Sequence, residues 1–547
     1  MTFGFGFGFP RRVGAGGFSP ASLFAAGEVG AWYDPSDLTT LFQDTAGTTP
    51  VTTPGQVVAL MLDKSRGLAL GPQLVTNGTF DTNIAGWTSQ AGSTISWVSG
   101  SLEGVASSGS SNLAFQDITT VSGRSYRYTA TVRCASGNIN VDAWLAGFGG
   151  LITRVTANAP TTNQTVSLVF VAGGTTTRIG LGPSVATTFY LDNISVRELP
   201  GNHATQATAA SRPTYGIVPR TGRRNFILYS NTFSNAAWVK TNATLTANAA
   251  TDPVGGNNAW RFQTSGVGII RQFTSELPYS TGVRQSIYVR SNTGSSQTFA
   301  LKQFWNNPIS LTATTAWQRF DVVSTENFSD GGIFIEGTNL DLLIFGAQLE
   351  TATTPSAYQQ TTTRWDVTEA GVQSLAYLGF DGVDDGMTTA SFSWPGLYSV
   401  WAGVCPSKVT GIQMLATMDN GSGISGSRLP QFLRLNTSNP ESIGFFLASP
   451  FADQGPSVAA NTNYVLSANT ISNQINVRVN TVSNGATSFT SPLNTDSRAL
   501  TIGMFDLAFP GSYFLGNLYG LILRGAATDA TNITNTETWM NGKTSAY

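Results

Sequence analysis

Histidine is nearly missing from this chain: His203 is the single one in 547 residues. That count removes most zinc sites and most histidine-based nucleophilic triads, so any catalysis would have to rest on carboxylates. Cysteine is as scarce. Cys134 and Cys405 lie far apart in separate β-rich regions, make no disulfide framework, and read as buried free thiols. Charge is sparse too, at 11% of residues, against about 25% in an average globular protein. Thr, Ser, Asn and Gly take its place. The formal net charge of -2 gives no electrostatic case for nucleic acid or acidic membranes. No apolar run approaches the roughly 20 residues of a membrane-spanning helix, so no membrane insertion is expected. Nor does the N-terminus read as a secretory signal. Arg11 and Arg12 follow the apolar stretch instead of preceding it, and every second residue interrupts it. The expectation is assembly in a cytoplasm.

What the N-terminus does carry is rings. Phe3, Phe5, Phe7 and Phe9 alternate with glycines, and in an extended strand alternate side chains share one face. One strand cannot bury four rings, and such a patch marks an interaction site. The glycine side admits another backbone closely. Residues 1–27 therefore read as an arm that docks onto a partner protein, adding a strand or filling an apolar groove. A glycine-rich terminus without fixed structure is the alternative.

Beyond the arm the sequence predicts strands almost throughout. Ser125–Val132, Gln285–Arg290 and Gln474–Val479 alternate and are rich in β-branched and aromatic residues, and Gly, Asn, Ser and Thr clusters separate such runs. Helical spacing is convincing only from Ile533 to Met540, with Asn541-Gly542 as a stop. The predicted class is all-β: three antiparallel β-sandwich or jelly-roll domains, a short C-terminal helix and an extended N-terminal arm.

Two stretches look like one module written twice. The first opens Leu74-Val75-Thr76-Asn77-Gly78-Thr79-Phe80, reaches Trp87 and closes with Phe189–Arg197. The second opens Asn225–Phe233, reaches Trp238 and closes with Leu342–Glu350. Each is the size of one sandwich, and both read as jelly rolls, over 68–199 and 218–370, with an opening strand, a turn, a Trp and a final apolar strand. The first module's opening and its closing Leu191-Asp192-Asn193-Ile194-Ser195-Val196 resemble jelly-roll carbohydrate-binding modules. That resemblance implies a candidate structural calcium site at Asp192 and the Asn77 turn; one carboxylate is a thin basis for an ion that takes about six to eight oxygens.

A third domain is read as split. Trp32-Tyr33-Asp34-Pro35-Ser36-Asp37, Leu41-Phe42-Gln43-Asp44 and Leu62-Asp63-Lys64-Ser65 resemble a module of bacteriophage virion proteins. In that family Gly-Asn-His-Ala-Thr-Gln follows almost at once. Here Gly201-Asn202-His203-Ala204-Thr205-Gln206 comes only after the first jelly roll, and Phe380-Asp381-Gly382-Val383-Asp384-Asp385 only after the second. The economical reading is a concanavalin-like (laminin-G-like) sandwich made of 28–67, 200–217 and 371–547, interrupted by two inserted domains at exposed loops. Beads on a string is the alternative. The resemblance implies a phage fibre or decoration protein, placed in the virion.

Candidate chemistry is thin. Asp381, Asp384 and Asp385 form the densest carboxylate group, and Asp-Gly favours a tight turn there over a calcium loop. His203 has no nucleophile or orienting group beside it in sequence and reads as a structural hydrogen bond. Sugars present flat apolar faces that stack on aromatic rings. Trp87 and Trp238 recur at equivalent places and read as core; Trp144 and Trp305, in the less regular Asp142-Ala143-Trp144 and Gln303-Phe304-Trp305-Asn306-Asn307, are the candidate glycan platforms. The expected function is a non-enzymatic virion fibre that docks through its arm to capsid, portal or tail proteins. It would bind host surface polysaccharide weakly but multivalently, as a homotrimer by analogy with phage fibres, although no heptads enforce one. Its rivals are a decoration protein that binds no sugar and a polysaccharide depolymerase, whose paired carboxyls, about 5–10 Å apart, the sequence does not name.

Overall fold

The computed structural model describes residues 17–90, 93–109, 114–274, 283–302, 308–323, 331–411, 413–418, 431–436, 442–446, 457–471, 474–488, 497–505 and 512–547. Phe3, Phe5, Phe7, Phe9 and Trp305 lie outside the described residues. The chain is all-β, with several antiparallel sheets and one C-terminal α-helix. It divides into two compact units, one of 1–52, 57–213 and 378–547, the other of 53–56 and 214–377.

In the first unit, strand β1 (Gly30–Tyr33) precedes a jelly roll of two five-stranded sheets. Its strands are β2 (Thr88–Ser89), β3 (Ser93–Val98), β4 (Ser101–Ala106), β5 (Ala114–Thr119), β6 (Ser125–Cys134), β7 (Ile139–Leu145), β8 (Leu151–Ala157), β9 (Gln164–Val171), β10 (Thr176–Pro183) and β11 (Thr188–Glu198). One sheet runs β8-β7-β10-β5-β2 and the other β9-β6-β11-β4-β3. Period-two alternation sends Ile139, Val141 and Ala143, Ile179 and Leu181, and Tyr126, Tyr128, Ala130 and Val132 into one core between them.

The second unit repeats this order. Its strands are β12 (Val239–Ala250), β13 (Ala259–Thr274), β14 (Val283–Ser291), β15 (Gln297–Lys302), β16 (Ile309–Ala313), β17 (Gln318–Val323), β18 (Gly331–Thr338) and β19 (Asp341–Thr351), ordered β16-β15-β18-β13-β19-β14-β17 with β12 on β13. The single long β13 does the work of β4 and β5. Trp260–Gln263 pair with the closing β19, and Val267–Thr274 pair with β18.

The strands expected to open the two modules, ahead of the Asn77–Phe80 and Asn231–Phe233 turns, are not strands. Asn77 and Phe80 adopt positive φ within the expected turn, and Tyr229 does so within the second expected strand, where it breaks the extended backbone. Side-chain amides replace the ladder, and in both modules they do so alike. Gln73 takes the N–H of Val196 and gives to the C=O of Ile194; Asn225 takes the N–H of Leu349 and gives to the C=O of Ala347. Gln116 grips both backbone groups of Thr76, and Gln272 both of Leu228. Beneath each segment a Phe meets a Trp, Phe80 with Trp87 at 5.5 Å and Phe233 with Trp238 at 4.8 Å between ring centroids. Both Trp are buried.

The rest of the first unit joins segments far apart in sequence. β20 (Ser399–Pro406), β21 (Tyr464–Ile471), β22 (Gln474–Val479) and β23 (Leu515–Arg524) form one sheet, and β1 pairs antiparallel with β23 from Gly30–Arg524 to Tyr33–Leu521. In a second sheet Ala204–Thr205 pairs with Leu60–Met61, and Thr205 with Thr388. Asp63, fully buried, ties these pieces. Its carboxylate accepts from the backbone N–H groups of Trp32 (2.7 Å), Ser65 (2.8 Å) and Asn202 (2.7 Å). Asp63 N–H donates to Nδ1 of His203 at 2.9 Å, so the ring proton sits on Nε2, which faces the Leu199 carbonyl at 3.2 Å. Tyr33 closes the cluster by donating to the Asn202 carbonyl.

Helix α1 (Ala530–Thr544) starts at the Asp529 cap, whose carboxylate accepts from Asn532 N–H. It runs through Asn541-Gly542, past the expected stop, and ends at Ser545 in the left-handed conformation. Tertiary contacts hold the extra turn: Lys543 pairs with Asp34 at 3.1 Å, and Trp539 meets Trp32 edge-on at 5.8 Å. Buried Glu537 takes Arg478 and Ser467. Cys134 is buried and Cys405 half-buried; both thiols are free, and burial pushes Cys405 up to about 12.

Candidate functional site

The alternation that fills the jelly-roll core aims the other residues of β8-β7-β10-β5-β2 outward. Asn140, Asp142 and Trp144 project from β7, Arg154 and Thr156 from β8, Arg178 from β10, and Phe115 and Asp117 from β5. Register places them side by side: Arg154 opposite Asp142, Trp144 opposite Arg178, and Arg178 opposite Asp117. On β10 the positions between these side chains are Gly180 and Gly182, so the middle strand adds no bulk there.

Two guanidinium–carboxylate forks hold the face. Arg154 donates from Nε and Nη2 to Asp142 at 2.7 and 2.8 Å; Arg178 donates likewise to Asp117, both at 2.7 Å. Asp142 is wholly buried under Arg154 and also accepts from Trp144 Nε1 at 3.3 Å. Each hydrogen-bonded carboxylate raises its arginine further above the usual range, against the opposing effect of burial.

The aromatic part comes from the β7–β8 turn. Phe148 has φ of 61°, unusual for a bulky residue, and its ring turns in to meet Trp144 at 5.7 Å and Phe115 at 5.3 Å, both edge-to-face. The Arg178 guanidinium lies 4.3 Å from the Phe115 centroid and 4.4 Å from that of Phe148, in the corner where the two rings meet. Trp144, Phe115, Phe148 and Arg178 are all half-buried. Flat apolar surface beside fixed polar donors and acceptors suits a sugar ring, which has an apolar face and hydroxyl edges.

Of the residues named from sequence, Trp144 lies on this face, at the end of a regular strand. Its partners Phe115, Asp117, Asp142, Phe148, Arg154 and Arg178 were missed. The signal was present in Ile139-Asn140-Val141-Asp142-Ala143-Trp144, where apolar residues alternate with a second set that is polar or aromatic. Asn77 and Asp192 lie on another part of the module. The Ile194 N–H bonds the Gly78 carbonyl at 2.8 Å, which draws the Asn77 turn alongside β11. A side chain at Gly78 would stand 2.1 Å from the Ile194 carbonyl oxygen, so glycine is required. Burial raises the Asp192 pKa, and the charge of Asp81 adds to that, against a hydrogen bond from Asn193. The Asn77 amide donates to the carbonyls of Asn83 and Ala85. Two carboxylates and a carboxamide turned to carbonyls fall short of the about six to eight oxygens calcium takes.

Asp381, Asp384 and Asp385 hold ligand atoms within 4.8 Å of one another. Asp381 accepts from the N–H groups of Val383, Asp384 and Asp385, and its own N–H donates to Asp385: a self-capped turn. His203 serves the Asp63 cluster described above.

No family model matches the chain, and no curated protein does. Among solved structures it is similar to a CBM4 module at 19% identity, over 22% of this chain and 98% of that one, with a TM-score of 0.21. The CBM22-1–CBM22-2 tandem of Paenibacillus barcinonensis is 10% identical over 52% of this chain and 98% of that one, TM-score 0.22. A Trypanosoma rangeli sialidase is 11% identical over 82% and 83%, TM-score 0.24. At these identities and TM-scores no activity is transferred from them.

Proposed function

We propose that this chain is a bacteriophage virion protein, a tail or head fibre, that holds host-surface glycans at the Trp144 face. In this reading the Phe3–Phe9 arm docks onto capsid, portal or tail proteins, a homotrimer repeats the site, and no bond is cleaved. The pieces 28–67, 200–217 and 371–547 act as one split sandwich carrying two inserted jelly rolls, 68–199 and 218–370. The observation that carries the glycan reading is the outward face of β8-β7-β10-β5, where three rings and two braced arginines meet. The order of the Trp32–Asp37, Gly201–Gln206 and Phe380–Asp385 motifs supports the virion reading.

The test is binding of full-length protein, displayed multivalently on beads, to host cells and purified surface polysaccharide. Saturable binding is expected, and Trp144→Ala lowers it about tenfold, the size of an aromatic hot spot, with the protein still folded by circular dichroism. Absence of saturable binding would leave the non-binding decoration protein in its place.

A further inference from the structure

The charges on the Trp144 face close on themselves. Its charged groups are Arg154 on β8, Asp142 on β7, Arg178 on β10 and Asp117 on β5, two of each sign, and each is engaged by two hydrogen bonds to its partner. The short stretches bordering the described part of this sheet, 91–92 and 110–113, contain no ionisable side chain. We infer that Arg178 makes this face selective for uncharged glycans, polymers of neutral hexoses or pentoses, over those bearing uronate, sialate or phosphate. The inference rests on the glycan reading above and narrows it.

The physical reason is competition. An anionic sugar meets a guanidinium whose charge its own carboxylate already neutralises, so it finds no net attraction unless it displaces that carboxylate. Asp142 is fully buried and cannot be set free without a large desolvation cost. Asp117 is more exposed, at 44% of its side chain, but holds Arg178 through a two-pronged contact that an incoming carboxylate could only equal. Phe115 and Phe148, which meet edge-to-face at 5.3 Å, form a corner against which that guanidinium packs, so swinging out to follow a charged ligand would forfeit both ring contacts. Its fork to Asp117 uses Nε and Nη2. A neutral hydroxyl needs no displacement: it can accept from the remaining Nη1 hydrogens, while the sugar's apolar face rests on a ring.

The experiment compares neutral polymers (galactan, xylan, glucan, mannan) with polygalacturonate and alginate, using the full chain displayed multivalently at 20 and 300 mM NaCl. Binding is expected to a neutral polymer, changing less than about twofold between the two salt concentrations, since no net charge is engaged. Asp117→Asn, which releases the Arg178 charge, is expected to add binding to polyuronate that fades at 300 mM NaCl. Arg178→Met should lose neutral-polymer binding without gaining the acidic one. Wild-type preference for polyuronate, with steep salt dependence abolished by Arg178→Met, would overturn the selectivity while leaving glycan binding intact. Binding to none of the polymers by any variant would overturn the glycan reading and this inference with it.

Discussion

Asp142 shows how one residue can brace a surface from beneath. It is wholly buried on a face that points outward, and its partner Arg154 is a third exposed. Removing Arg154 leaves a buried carboxylate uncompensated, a loss of about 3–5 kcal/mol. Arg154→Ala is therefore expected to unfold the first jelly roll at markedly lower urea, while Arg154→Lys, which keeps the charge but loses the fork, falls between. Equal midpoints for wild type and Arg154→Ala would mean that Asp142 is not held as described. Phe148 acts by a different route: its left-handed backbone, not its place in the strand pattern, brings the ring to Arg178. Trp144 was legible from sequence as a ring available to sugar. Arg178 was not, because its role depends on register: it faces Trp144 on one side and Asp117, 61 residues away, on the other.

At the scale of elements, local patterning served the strands well and the termini of elements poorly. Ser125–Cys134, Val283–Ser291 and Gln474–Val479 are strands where alternation places them. The opening strands failed because amide side chains take over the pairing in both modules, and positive φ at Tyr229 interrupts the second. That substitution is invisible to a period-two pattern. The helix outran its Asn-Gly stop for a tertiary reason, the Lys543–Asp34 pair and the packing of Met540 and Thr544 over Gly403. A Cβ at Gly403 would lie 2.5 Å from Thr544 Cγ2 and 2.9 Å from Met540 Sδ. Gly403→Val should lift the helix at a cost of about 1–3 kcal/mol, read as faster amide exchange across 530–544 with β20 to β23 still protected. Unchanged exchange in the helix would show that it does not rest on this strand.

For the first unit as a whole, the Asp63 cluster links β1, the 63–65 turn and the 201–203 segment, and His203 gives it a pH dependence. Burial holds the His203 pKa below its usual value, with Asp63 opposing in part. The unfolded chain therefore takes up the proton first. Stability is complete above about pH 6.5 and declines as pH falls through the folded-state pKa, by at most about 1.4 kcal/mol per pH unit. Melting temperature should drop between pH 7 and 5 in wild type, and His203→Gln, which can still accept from Asp63 and donate to Leu199, should flatten that drop. A slope unchanged by the substitution would assign the effect to other groups.

Sequence alone determined the all-β class, the duplication of a Phe–Trp module, the scarcity of histidine and cysteine, and the structural part played by His203. These depend on composition and on short-range alternation, which the chain carries locally. Only the tertiary structure decided which strands pair, and with that the Trp144 face: its residues come from four strands and one turn between positions 115 and 178. Their charges cancel and their rings meet because sheet register sets them side by side, and no spacing along the chain encodes that.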